Sequence, residues 1–234
     1  MTWPFENDTS GIVKRISNRS ISANRKRNIF IILTIALASA LLSAIVLYGF
    51  GVMQETQNRN QKTAQIMYHA ISEQQGQELY KQEEIAWVGE FFNAFSEQVN
   101  HSTVNFTYAN ADMLKSQSMP YSGDLPASEN EIVVQESFLD SLGYSNELGQ
   151  TIQIPFSDGT THDFKLTGIL DVKTGDIGRY TAIISKELVR QQYGDGGMID
   201  YYIGLKGAQN MSEEEATNYA NTLAQQLKIS DDNV

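Results

Sequence analysis

Residues 29–53 read IFIILTIALASALLSAIVLYGFGVM, 25 consecutive residues without a charge. At about 1.5 Å of rise per residue, a helix of this length crosses a hydrocarbon core of about 30 Å with some left over for tilt. The triplet Ala38-Ser39-Ala40 has the look of a signal-peptidase site. Apolar sequence nevertheless continues past it to Val52, which is too long for the core of a cleaved leader. The stretch is therefore read as a transmembrane helix, and it divides the chain into a tail (1–28), the span (29–53) and an extracytoplasmic domain (54–234).

Charge sets the orientation. Residues 1–28 carry six basic side chains against Glu6 and Asp8, a balance of +4, while residues 54–234 carry 11 basic and 26 acidic side chains, a balance of −15. Arg25, Lys26 and Arg27 stand directly before the span. Basic residues beside a membrane helix stay on the cytoplasmic side, so the acidic domain is expected outside the cell (inner or plasma) membrane. A domain of that sign repels nucleic acid, which removes that class of partner. The 234 residues include no cysteine, so disulfides and thiolate chemistry are excluded.

Both membrane-proximal segments are patterned. Ala36, Ala40 and Ala44 recur every four residues, with Ser39 and Ser43 beside them. Small residues let helix backbones approach closely in lipid, so this face suits packing on partner helices. In the tail, Ile12, Val13, Ile16 and Ala23 fall on one side of a helix and the basic residues on the other. That suits a helix resting on anionic membrane lipid at the inner leaflet.

The extracytoplasmic part reads as an α+β domain of mixed short strands and helices, in one or two lobes. A polar stalk over 54–65 continues the membrane helix. Strands are expected at 65–71, 85–95 and 103–108, and a polar helix at 72–84. A loop with Pro120, Gly123 and Pro126 covers 118–130 and is the expected internal boundary. The second half is more regular. Strand 131–134 leads into helix 136–142 with Gly143 as its stop. Strands 151–156 and 163–170 form a hairpin over Ser157-Asp158-Gly159-Thr160, and Pro155 marks an edge. Strand 181–184 leads through the N-cap Ser185 into a helix ending at Gly194, and a strand follows at 201–205. Ser212 and Glu215 open a last helix with a capping box. That helix faces inward with Ala216, Tyr219, Ala220, Leu223 and Leu227.

A search for chemistry finds none. His69, His101 and His162 lack metal-ligand spacing. There is no nucleophile elbow, no phosphate loop and no cofactor motif. Asp176-Ile177-Gly178 and Asp195-Gly196-Gly197 lack the alternating carboxylates of a calcium loop and read as turns. No catalytic, cofactor-binding or metal site is expected.

Several segments in order carry a resemblance. The basic run Ser20–Asn28 leads straight into the membrane helix, and a large domain follows. Within that domain stand PASENEIVV (126–134), Phe138-Leu139, Leu142-Gly143, LGQTI (148–152) and FKLTGI (164–169). In this order the chain resembles the N-terminal part of a permease subunit of the MacB/FtsX, or type VII, class of ABC transporter, with a MacB-like periplasmic core domain. The resemblance implies a non-catalytic subunit working as a dimer with a second permease copy, beside a cytoplasmic ABC ATPase. It implies that ATP-driven movement of the membrane helices passes through the stalk to a domain acting on peptides, lipoproteins or envelope proteins. Arg25, Lys26 and Arg27 would then lie near the ATPase or the inner leaflet. Three further membrane helices, usual in that class, are absent from these residues and are expected on a missing portion or a separate chain. The competing reading is a single-pass sensor or adaptor with a ligand-binding domain outside.

Overall fold

The computed structural model describes residues 9–172, 178–194 and 199–233. They fall into two compact units, Met1–Thr56 and Gln57–Val234.

The first unit is helical. α1 spans Ser10–Ala23, and Asn24 closes it by donating from its backbone and side-chain nitrogens to the Ser20 carbonyl. Ile12, Val13, Ile16 and Ile21 on α1 are all exposed, so its apolar side is uncovered. α2 begins one residue later and runs Arg25–Lys62, 38 residues, or about 57 Å. It is the one helix among the described residues long and apolar enough to cross a membrane, over Arg25–Glu55.

The second unit is built on a mixed sheet. Its strands are β1 (Ile66–Ile71), β2 (Ile85–Val99), β3 (Ser102–Ala109), β4 (Tyr121–Gly123), β5 (Glu131–Gln135), β6 (Thr151–Pro155), β7 (Thr161–Leu170), β8 (Arg179–Ile184) and β9 (Ile199–Leu205). The order across the sheet is β1-β9-β2-β3-β8-β5-β7-β4, with β6 also on β7. The β3–β8 and β5–β7 pairs are parallel and the others antiparallel. The helices are α3 (Glu73–Leu79), α4 (Ala111–Ser116), α5 (Glu136–Leu142), α6 (Lys186–Tyr193) and α7 (Glu213–Leu227).

Local chemistry accounts for the element ends. Ser72 and Gln75 form a capping box at α3, and Ser212 and Glu215 form one at α7. Ser185 accepts from the Leu188 N–H at α6. Gly143 closes α5 with φ 78°, a conformation open to glycine at little cost. Asn100 and His101 form the two-residue loop between β2 and β3 with φ of 47° and 67°, the signature of a type I′ hairpin turn.

Alternation along the strands sorts side chains to two faces. On one face lie two apolar clusters that share no residue. The terminal cluster joins β1, β2 and β9 to α3 and α7 through Ile66, Tyr68, Leu79, Val88, Tyr201, Ile203 and Leu223. The central cluster joins β3, β5, β6, β7 and β8 to α5 and α6 through Phe106, Ile132, Val134, Phe138, Ile154, Leu166 and Ile184. The opposite face holds a smaller group, with Met113 and Leu114 of α4 over Val133 and Ile183.

Three expectations change. The helix foreseen over 72–84 stops at Leu79, because Lys81, Gln82 and Ile85 donate to carbonyls three residues back and wind the chain down into β2. The loop over 118–130 contains β4, which takes the edge of β7 beyond the reach of β6. The sheet is continuous across this loop, so it is not a boundary. α4 gave no periodic signal in six residues and was not foreseen. Of the α7 side chains, Ala220 and Leu223 are buried as foreseen, Ala224 joins them, and Ala216, Tyr219 and Leu227 pack only partly buried.

Candidate functional site

The small-residue face lies on α2. Ala36, Ser39, Ala40, Ser43 and Ala44 are exposed in this chain, as are the flanking Leu37, Leu41 and Ile45. Nothing in the described chain covers that face. Arg25, Lys26 and Arg27 form its first turn and are exposed as well.

Three residues, Thr63, Ala64 and Gln65, separate the end of α2 from β1. Gln65 fixes this join. Its N–H donates to the Ile203 carbonyl at 2.9 Å, and its side-chain carbonyl accepts from the Leu205 N–H at 2.8 Å. Gln65 thus extends β1 by one rung along β9. A cavity of about 340 Å³ opens beside the join, lined by Lys62, Ala64 and Met67 on one side and by Met113, Gln117 and Tyr202 on the other.

Between the two apolar clusters runs a polar seam, buried at its centre and open to solvent at its ends. Glu90 of β2 is 4% exposed. Its carboxylate accepts from the Tyr80 hydroxyl at 2.9 Å, the Tyr108 hydroxyl at 2.6 Å and the Lys186 ammonium at 2.9 Å. Lys186 also lies 3.3 Å from Glu73, which Arg190 contacts in turn. Glu73 and Glu90 thus meet Lys186 and Arg190, with the exposed Glu187 3.9 Å from Arg190, and these pairs tie α3 to α6. The Arg190 hydrogen bond, aided by Lys186, holds the Glu73 carboxyl below the usual range. Burial, then the Glu90 charge, pushes the Tyr80 and Tyr108 hydroxyls well above theirs. Next to this group the Tyr201 ring is fully buried, and its hydroxyl has no hydrogen-bond partner among the described residues. Tyr201 fills the space over Gly76, where an added Cβ would come within 2.1 Å of the ring.

Sequence reading missed this seam, although a signal exists. Glu90 alternates with Val88 and Phe92, so it occupies the inward register of an apolar strand. Lys186 and Arg190 lie four apart on α6, on one face. Each feature alone resembles a surface charge; only the pairing of α3 with α6 brings them together.

The histidines stay apart. His69 pairs with Asp200 at 3.2 Å, His101 is a turn residue, and His162 contacts the Thr160 hydroxyl at 3.0 Å. No group of three or more His, Asp or Glu side chains among the described residues could hold a metal ion. The acidic turn Asp176-Ile177-Gly178, apart from Gly178, and all of Asp195-Gly196-Gly197 lie outside the described residues.

Residues 29–222 match the family model for the MacB-like periplasmic core domain. Among solved structures, the periplasmic region of MacB from Actinobacillus actinomycetemcomitans is 14% identical, with 69% of this chain and 81% of that chain covered and a TM-score of 0.47. The extracellular domain of the noncanonic ABC-type transporter YknZ from Gram-positive bacteria is 11% identical, with coverages of 67% and 91% and a TM-score of 0.47. A search of curated proteins gave no match.

Proposed function

The chain belongs to the family of MacB-like periplasmic core domains, and from that membership we propose that it is the anchored, non-catalytic half of an ABC transporter permease. In this reading a cytoplasmic ATPase, on a partner chain, drives movement of the membrane helices of a permease dimer. The sheet domain lies outside the membrane and acts there on peptides, lipoproteins or envelope proteins. The +4 tail lies inside, with Arg25, Lys26 and Arg27 near the ATPase or the inner leaflet. Protease added to spheroplasts should therefore remove the sheet domain and spare the tail.

The observation that carries the reading is the join at Gln65. A helix long enough to leave the membrane reaches the sheet through three residues, the last of them bonded to β9. A plain anchor needs no such clamp, whereas a transmitting stalk does. Affinity purification of the full chain from its native membranes should bring down a subunit with a phosphate-binding loop. The complex in proteoliposomes should hydrolyse ATP, while the chain alone should not. Purification free of any ATPase would favour the sensor reading.

The small-residue face is proposed to pack on sibling membrane helices. Ala40→Leu forces the backbones apart, and no hydrophobic gain compensates in lipid. Association measured by cross-linking in membranes should fall about ten-fold, about 1.4 kcal/mol, while insertion is unchanged. Ile45→Ala, further round the helix, should do less.

A further inference from the structure

A second cavity, of about 230 Å³, opens on the α4 side of the sheet. Strand alternation supplies its floor. Val104 and Phe106 of β3 turn to the central cluster, so Asn105 and Thr107 take the opposite face. Across the ladders, Asn93 of β2 stands opposite Thr107, and Thr181 of β8 stands opposite Asn105. All four line the cavity, and Gln117 joins them from the end of α4. One wall is apolar, formed by Phe91, Leu114 and Met119. No charged side chain among the described residues lines it, although residues 54–234 carry a balance of −15.

Thr107 is 6% exposed, yet its hydroxyl has no hydrogen-bond partner among the described residues. A hydroxyl withdrawn from water in this way calls for a partner, and the cavity it lines is where one can enter. Asn105 is held in place, since its side-chain carbonyl accepts from the Ser96 hydroxyl at 2.7 Å, which leaves its amide N–H groups to donate. An ion placed here would lose water and gain no opposite charge. A neutral polyol suits the floor, because its hydroxyls donate and accept, as the amides and hydroxyls there do. The volume lies below the roughly 300–1,000 Å³ of pockets for drug-sized ligands, so one ring suits it. A sugar ring offers polar edges to the floor and a C–H face to Phe91, and an acetamido group adds a methyl for the apolar wall and an amide for Gln117. A peptide strand, by contrast, adds to a sheet edge and not to a sheet face. We propose that this cavity binds an N-acetylated sugar ring of a neutral glycan. The uncharged face continues past it through Ser96 and the Gln98–Thr103 pair, as far as Arg179 opposite Thr103, which gives room for a further ring. The inference rests on the transporter reading only in placing the domain outside the membrane, where envelope glycans lie.

The test is calorimetric titration of the full chain, in nanodiscs of neutral phosphatidylcholine and mildly acidic buffer, with tri-N-acetylchitotriose. Empty nanodiscs give the blank. Thr107→Val keeps the branched shape and removes only the hydroxyl, and it should weaken binding about five-fold. Asn93→Ala, at an exposed position on the rim, should weaken it about three-fold. Thr161→Val makes the same exchange at an exposed position of β7 outside the cavity and should leave affinity unaltered. Circular dichroism checks the fold of each variant. The deacetylated trimer carries ammonium groups, which the acidic domain attracts as a whole. Its binding should nevertheless be at least five-fold weaker, because the cavity offers no carboxylate. No binding of the acetylated trimer overturns the proposal, as does unchanged affinity in both cavity variants. Equal binding of the deacetylated trimer, or of the peptide acetyl-Gly-Asn-Gly-amide, overturns it too. Calorimetry needs no ATPase, so the cavity and the transporter reading can each fail without the other.

Discussion

The terminal and central clusters occupy one face of one sheet, yet they are assembled differently. The central cluster draws its buried residues from Val99 to Val189, a continuous stretch of chain. The terminal cluster draws from Ile66–Val88 and from Tyr201–Ile229, so its two halves are more than a hundred residues apart. The central lobe is in effect inserted into the terminal one. Local pairings such as the β6–β7 hairpin serve the first, whereas β1 must wait for β9. Closing so long a loop costs chain entropy before any contact offsets it. The terminal lobe is thus the later and less independent of the two, and the charged seam is where it meets the other.

The sharpest way to break this comparison is to empty the central core. Phe106 is fully buried, stacked on Phe95 at 4.6 Å and packed edge-on against Phe156. Phe106→Ala should cost about 3–5 kcal/mol. Because the terminal lobe depends on its neighbour, fluorescence of Trp87 on β2 should report the same lowered denaturant midpoint as circular dichroism. Separate midpoints would show that the lobes fold independently.

Cutting the seam comes next. Lys186→Met leaves Glu90 buried without its cation, and removal of one partner of a buried pair costs about 3–5 kcal/mol. Here two tyrosine hydroxyls still satisfy the carboxylate, so a loss of about 3 kcal/mol or less is expected. The double variant Glu90→Gln/Lys186→Met should regain most of it. A double variant no more stable than Lys186→Met alone would mean that the charge pair is not what joins the lobes.

A smaller effect belongs to the terminal lobe alone. Gly76→Ala places a methyl against the Tyr201 ring and should cost about 1–3 kcal/mol. Hydrogen exchange should rise first in β1, α3 and β9 and later, or not at all, in β6 and β7.

The smallest effect is set by pH. Glu73 has a lowered pKa in the folded chain, so the stability it contributes is present above the ordinary carboxylate value of about 4.3 and is lost as pH falls through the folded value. Glu73→Gln should flatten the acid limb of a stability curve and leave its neutral plateau slightly lower. An unchanged acid limb would remove Glu73 from the seam.

The same division governs what the sequence discloses. Strand 131–135, helix 136–142 and its Gly143 stop, the β6–β7 hairpin with Pro155 on an edge strand, and the Ser185 and Ser212 caps were all legible, because each is decided within a few residues. The long apolar helix was legible for a similar reason, since an uncharged run of that length is read without reference to any partner. The seam was not. Glu90 becomes a buried charge only when α3 and α6 meet above β2, and no short-range pattern encodes that meeting. β4 was hidden likewise, since three residues become a strand only because β7 offers an unfilled edge.

The placement of Gln65 has a mechanical side. Both of its bonds to the sheet end on β9, and β9 is also the neighbour of β2. A tension applied along the chain at Lys62 therefore enters a series circuit: join, β9, β2, then the remaining strands in turn. Because Gln65 and Leu205 sit at the same end of an antiparallel pair, a pull on this end loads the Gln65 rung before those further along β1.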